Sequence, residues 1–148
     1  MTKNKKIGYT TGVFDMFHIG HLNLLKLAKE RCDYLIVGVS TDELVEEYKK
    51  KKPIIPFSDR QEIVSSLKCV DEVVTQHSRD KLKAYFDIKF DIMFVGDDWK
   101  GSEIFNNINK ELTKHNAYVD YLPYTKKVSS TNFRELLQNL YDAEKLIK

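Results

Sequence analysis

Gly12-Val-Phe-Asp-Met-Phe-His-Ile-Gly-His21 joins an apolar strand pattern at residues 6–14 to an apolar helical pattern beginning at Leu22. A strand-to-helix turn of this kind is where open α/β sheets bind ligands, beyond the carboxyl ends of their strands. His18 and His21 stand three residues apart in the first helical turn and so project the same way. Beside them lie backbone amide donors and the positive end of the helix dipole, an arrangement suited to a polyphosphate. Gly20 between them lets a ligand approach the backbone closely. Taken alone, His-x-Gly-His also fits a surface accident, a capped core helix or half of a metal site. Zinc is the weaker of these readings, since Cys32 and Cys69 have no Cys-x-x-Cys partner and no His-Glu-x-x-His pattern exists.

Outward from the junction, strand and helix patterns alternate. Residues 7–14 read as a strand, 22–32 as a helix and 34–40 as a strand, together a β-α-β unit. The lysine run at 49–52, with Pro53 and Pro56, reads as a loop. Ser58-Asp-Arg-Gln61 reads as a capping box ahead of Ile63, Val64 and Leu67. Residues 70–74 form a short strand, 81–86 a helix, and 90–95 a strand stopping at Gly96-Asp-Asp-Trp99. A helix at 102–115, a strand at 118–122 and a last helix carrying Phe133, Leu136, Leu137 and Leu140 complete the pattern. The alternation predicts an α/β fold: a Rossmann-like, doubly wound parallel sheet in a single domain over residues 1–140. The charged tail at 141–148 is expected to fray.

Length and charge narrow the function. At 148 residues the chain suits one domain with a proper core, and 24 basic against 22 acidic side chains leave a net charge of +2. That balance argues against a broad nucleic-acid surface, so any basic site must be local. The lysine-bearing start leads straight into a strand, without the apolar run of a signal peptide or membrane helix, and a cytoplasmic protein with no membrane insertion is expected. The two cysteines read as small buried hydrophobes.

Four segments are candidates for one site: the histidine turn, the lysine loop, Gly96-Asp-Asp-Trp99, and Thr125-Lys-Lys-Val-Ser-Ser-Thr131. Each has a plainer reading, a solvated face for the lysines and helix caps for the acidic and hydroxyl residues. A second helix N-terminus with lysines and hydroxyls is equally a phosphate cradle. Neither Gly-x-Gly-x-x-Gly nor Gly-x-x-x-x-Gly-Lys-Ser/Thr occurs, which removes the common dinucleotide and P-loop solutions.

With His-x-Gly-His at this junction, Val39-Ser-Thr-Asp-Glu43, Arg60, Val70-Asp-Glu-Val73, Gly96-Asp-Asp-Trp99 and Ser129-Ser-Thr131, the chain resembles the cytidylyltransferase branch of the HxGH nucleotidyltransferases. The resemblance implies transfer of CMP from CTP to a small phosphorylated alcohol, glycerol 3-phosphate first, with Mg2+ arriving on the CTP and no metal site of the protein's own. It implies that His18 and His21 contact the phosphates and stabilise the transition state, with Lys49 and Lys68 as further catalytic cations. Nucleotide binding falls to Gly12, Val13, Phe14, Asp15, Gly20, Asp97, Thr125, Ser129, Ser130 and Thr131. Acceptor binding falls to Lys49, its neighbour Lys50, and Trp99. It also implies a homodimer. Tyr124 and Lys68 stand where the family usually has arginines; Lys126 or Lys127 can replace the charge at the first position, but no lysine supplies a planar fork. Adenylyl transfer from ATP, and phosphocholine, phosphoethanolamine or another small polyol phosphate as acceptor, are the alternative enzymes, with Trp99, Tyr121 and Tyr124 able to box a quaternary ammonium. A nucleotide sensor without turnover and an interaction module for an acidic partner are the alternatives outside enzymology.

Overall fold

The structure, a computed structural model, describes residues 5–123 and 130–147. Alternation of strand and helix gives β1 (Ile7–Gly12), α1 (Ile19–Glu30), β2 (Tyr34–Ser40), α2 (Asp42–Lys49), α3 (Phe57–Ser65), β3 (Glu72–Gln76), α4 (Lys81–Ile88), β4 (Ile92–Gly96), α5 (Glu103–Thr113), β5 (Tyr118–Leu122) and α6 (Ser130–Ile147), with a 3-10 turn at Asp97–Trp99. The five strands form one parallel sheet in the order β3-β2-β1-β4-β5.

The strands are apolar on both faces because both faces are covered, as parallel sheets require. Period-two alternation sends Leu35, Val37, Val39, Ile92 and Phe94 into one core with Leu25 and Ala28 of α1 and Val64 of α3. It sends Tyr9, Ile36, Met93 and Val119 into the other, with Tyr85 of α4 and Phe105 and Leu112 of α5. The sheet is thus doubly wound, as expected. An aspartate sits just before each of three strands and fixes a neighbour: Asp33 accepts from the Lys6 amide, Asp71 from Leu35 and Asp91 from Ile7, at 2.7–2.8 Å.

Two local expectations change. The pattern predicts no helix at residues 42–49, yet α2 forms there, capped by the Thr41 side chain on the Leu44 amide at 3.1 Å and burying Leu44 and Val45. The expected capping box at Ser58–Gln61 is absent. Helix α3 begins at Phe57, behind Pro56, and its first amide donates to Asp42 of α2 at 3.3 Å, so a tertiary cap replaces the local one. At the other end, α6 carries helical backbone to Ile147, through residues set apart as a tail. Its Leu136, Leu137, Leu140 and Tyr141 are each more than half exposed.

The topology also places the site. β1 is followed by β2 and β3 on one side, and β4 and β5 lie on the other, so the order reverses between β1 and β4. These two strands pair only at Gly8–Ile92 and Tyr9–Met93. Beyond that register they part, bridged by the Thr10 hydroxyl donating to the Phe94 carbonyl at 3.0 Å.

Candidate active site

A cleft of about 790 Å³ opens where β1 and β4 part. Its floor is the carboxyl edge of the sheet, at Thr10, Thr11, Gly12, Ser40, Gln76 and Gly96.

On one wall the histidine turn is held by its own side chains. His18 is the N-cap of α1: its Nδ1 accepts from the Gly20 amide at 3.0 Å, while His21 Nδ1 accepts from the His18 amide at 3.2 Å. This is a capping box built from two imidazoles. An Nδ1 that accepts a hydrogen bond leaves the ring proton on Nε2, so both rings are neutral and carry Nε2–H as their remaining donor. Electrostatics agree. Burial lowers His18 below its ordinary value, and burial, then the neighbouring His18, push His21 down to about 4 against a smaller opposing pull from Asp15. The rings stack with centroids 3.9 Å apart and both line the cleft.

The backbone entering this turn is strained. Phe14 and Met16 have φ of 55° and 49°, left-handed values that cost a side-chain-bearing residue about 1–3 kcal/mol each. Gly12 is required for a related reason, since a Cβ there would lie 2.9 Å from the Phe14 ring. Two buried charged groups hold the conformation. Arg60 is fully buried and donates to the carbonyls of Val13, Ser40 and Ile55 and to Asp42. Asp15, also buried, accepts from the amides of Ile54 and Ile55 at 2.9 Å and pairs with Arg134 of α6 at 2.7 Å.

Across the cleft the lining is cationic. Lys49, Lys51, Arg79, Lys81 and Arg134 all face it, and among the described residues Asp15 is the acid in the lining. Lys81 donates to Thr11 Oγ1 at 2.8 Å, and burial, with Arg79 beside it, holds its ammonium down to about 8. Lys49 is lowered by burial first, then by Arg134 and Arg79, against Asp15. Clustered cations in a cleft raise the local positive potential, a setting chemically suited to anions.

The sequence-derived residues divide accordingly. Gly12, Val13, Phe14, Asp15, His18, Gly20, His21, Lys49 and Trp99 are brought together around the cleft, with Trp99 at its rim against Phe105. Asp15, expected to touch nucleotide, lines the cleft with its carboxylate engaged by the 54–55 backbone and Arg134. Lys50 caps α2 in a left-handed conformation and does not line the cleft, whereas Lys51 does. Asp97 is exposed in the 3-10 turn and outside the lining. Lys68 is displaced furthest: it precedes β3, whose first residue pairs with Ile36 near the start of β2, at the edge of the sheet opposite the site. The aromatic box is not assembled by Tyr121, which packs into the second core. Thr125 and Ser129, with Tyr124, Lys126 and Lys127, lie outside the described residues, as do the side chains of Ser130 and Thr131. Sequence reasoning missed Tyr48, Arg79, Lys81 and Arg134, and reached Lys51 only as part of the lysine run. Arg79 and Lys81 carried a usable signal, because they follow the carboxyl end of β3 as the histidines follow that of β1.

No group of three or more His, Cys, Asp or Glu able to hold a metal occurs among the described residues. None of their helices is long and apolar enough to cross a membrane.

The chain matches the cytidylyltransferase-like family over residues 9–136. It is 36% identical over 132 residues to the glycerol-3-phosphate cytidylyltransferase of Bacillus subtilis, covering 88% of this chain and 96% of that one. It is also 36% identical over 146 residues to the FAD synthase of Thermococcus sibiricus, covering 96% and 97%. Among solved structures, a lipopolysaccharide core biosynthesis protein from Thermoplasma volcanium superposes with a TM-score of 0.69 at 30% identity, over 84% of this chain and all of that one. With the histidine turn and the cationic cleft at the strand switch, these likenesses make the chain a nucleotidyltransferase of the cytidylyltransferase-like family.

Proposed function

We propose that the protein transfers CMP from CTP to a small phosphorylated alcohol, glycerol 3-phosphate first, releasing pyrophosphate. The observation carrying this reading is the pair of neutral imidazoles at the N-terminus of α1, sharing the cleft with Lys49, Lys51, Arg79, Lys81 and Arg134. A phosphomonoester oxygen of the acceptor attacks the α-phosphorus of CTP in line. The new phosphorus–oxygen bond forms as the bond to the β-phosphate breaks, and the electron pair leaves on pyrophosphate. No protein nucleophile is required, so catalysis is positioning and electrostatic stabilisation. His18 and His21 donate Nε2–H to the phosphoryl oxygens, Lys49, Lys51 and Lys81 offset the developing charge, and the α1 dipole adds to both.

Mg2+ belongs to this reading as the counter-ion of the triphosphate. The cleft's carboxylate, Asp15, is committed to two amides and Arg134, so the described residues do not fit a resident metal site. The similarity to glycerol-3-phosphate cytidylyltransferase supports the acceptor, and the similarity to an FAD synthase favours, as a second reading, adenylyl transfer from ATP. A homodimer belongs to the same proposal.

The test is pyrophosphate release with Mg2+, CTP or ATP, and a panel of glycerol 3-phosphate, phosphocholine and phosphoethanolamine. Release with CTP and glycerol 3-phosphate is expected. Release with ATP alone overturns the nucleotide assignment, and release with phosphocholine alone overturns the acceptor.

A further inference from the structure

Tyr48 and Arg79 lie outside every segment that the sequence marked as functional, yet they form a defined unit on the cleft wall. Tyr48 sits in the last turn of α2, half-buried, and lines the cleft together with Ser40 and Gln76. Ser40 donates to Gln76 Oε1 at 2.8 Å, which ties the ends of β2 and β3 beside it. The Arg79 guanidinium lies over this ring, 4.4 Å from its centroid, and Lys49 Nζ stands 5.8 Å from the same centroid. Next to Arg79, the Asp80 carboxylate caps α4 on the Lys83 amide at 3.0 Å. Among the described residues no carboxylate forms an ion pair with Arg79 or Lys81.

A guanidinium attracted to an aromatic face need not spend its N–H donors on the ring, and its N–H fork matches the oxygens of a phosphate. Two lysines flank it, and Arg79 lowers the affinity of each for its proton, a repulsion that a bound dianion relieves.

We propose that Arg79, held on the Tyr48 ring, grips the phosphate of the acceptor, with Lys81 beside it and Tyr48 as the positioning residue. The inference rests on the acceptor-transfer reading above and deepens it. The ring face that would receive a quaternary ammonium is taken by the guanidinium, and an acceptor with a cationic head meets like charges. The site therefore selects a phosphorylated alcohol with an uncharged tail.

Steady-state kinetics with CTP and glycerol 3-phosphate, together with calorimetric binding of glycerol 3-phosphate alone, test it. Arg79→Ala is expected to raise the acceptor KM and weaken binding by about tenfold or more, the loss of a charge-assisted pair, with the CTP KM within about twofold. Tyr48→Leu is expected to raise the acceptor KM about two- to fivefold, and Tyr48→Phe, which keeps the ring, to restore it. Lys110→Ala, on the exposed face of α5, controls for net charge. A rise in the CTP KM instead, or equal effects of Leu and Phe at position 48, overturns the clamp. If the wild-type protein releases no pyrophosphate with any pair, the transfer reading fails, and calorimetry still decides the clamp. Weaker binding in Arg79→Ala upholds it; equal binding, or none by the wild type, overturns it.

Discussion

Replacing Arg60 by alanine removes the side chain that ties four segments around the site. The guanidinium is fully buried, donating through Nε to the Ile55 carbonyl at 2.8 Å and through Nη1 to those of Val13 and Ser40 at 2.7 and 2.8 Å. Through Nη2 it meets Asp42 at 2.6 Å. At about 1 kcal/mol net for each bond the four sum to about 4 kcal/mol, which falls in the roughly 3–5 kcal/mol range for removing one partner of a buried pair. The carboxylate contributes the smaller share, because Asp42 is 32% exposed and rehydrates, whereas the Ser40 carbonyl sits in the buried edge of β2. Arg60→Met, of similar length, therefore recovers packing but leaves the three carbonyls orphaned and remains destabilised. Set against a total of roughly 5–15 kcal/mol for a domain, about 4 kcal/mol lowers the melting temperature by about 10–20 °C. Urea unfolding followed by far-ultraviolet circular dichroism reads the change directly, as a lower midpoint at unchanged slope. A loss below about 1 kcal/mol in Arg60→Ala would refute the view that this side chain, rather than local backbone preference, holds the strained turn.

The double substitution His18→Ser, His21→Gln writes an ordinary capping box in place of the imidazole one. Stability above neutral pH is expected to change by no more than about 1 kcal/mol while pyrophosphate release falls at least about a hundredfold, measured on the same preparation. The same pair predicts acid sensitivity. His21 is held near 4 when folded, while the unfolded chain takes its proton at about 6.5, so the unfolded state binds more protons between those values. The stabilising contribution, on the order of 3 kcal/mol, is complete above about pH 6.5 and lost as pH falls toward 4; urea titrations across this window should flatten in the double variant. Lys81 provides the opposite kind of trade. Its folded value of about 8 lies below the roughly 10.4 of an unfolded lysine, so the unliganded protein gains stability as pH rises through that window. Lys81→Met should match or exceed the wild type in melting temperature without ligand, yet lose the stabilisation that phosphate ligands give, as thermal shift assays would show.

The strands were legible because each is a short apolar run whose neighbours in the sheet need no long-range information to be recognised, and β2 and β5 begin and end where their patterns do. The histidine turn was legible for the same reason: the chemistry and its cap lie within four residues. Helix α3 was misplaced at its start because its first amide is satisfied by Asp42, 15 residues earlier, and no local pattern contains that bond. Asp15 shows the same limit more sharply. Its position in the motif suggested a ligand contact, but the partner that fixes its role is Arg134, 119 residues away.

The cationic wall was a different matter, since the information to find it was present. In a parallel sheet every strand runs the same way, so a residue just after a strand lies at the carboxyl edge with the ligand, and a residue just before one lies at the far edge. That rule applied to β1 selects His18 and His21, and applied to β3 it selects Arg79 and Lys81, which follow Gln76. It puts Lys68, four residues before Glu72, at the far edge of the sheet, although its neighbours match a motif. On this rule, charge at the correct end of a strand is the better guide to a site than charge at a motif position. Exchanging the two positions tests the point without further assumptions: Lys68→Ala should leave acceptor and nucleotide KM within about twofold, while Lys81→Ala should raise one of them about tenfold or more. If Lys68→Ala were the more damaging, the strand-direction argument would be wrong for this sheet, and the site would have to reach around its edge.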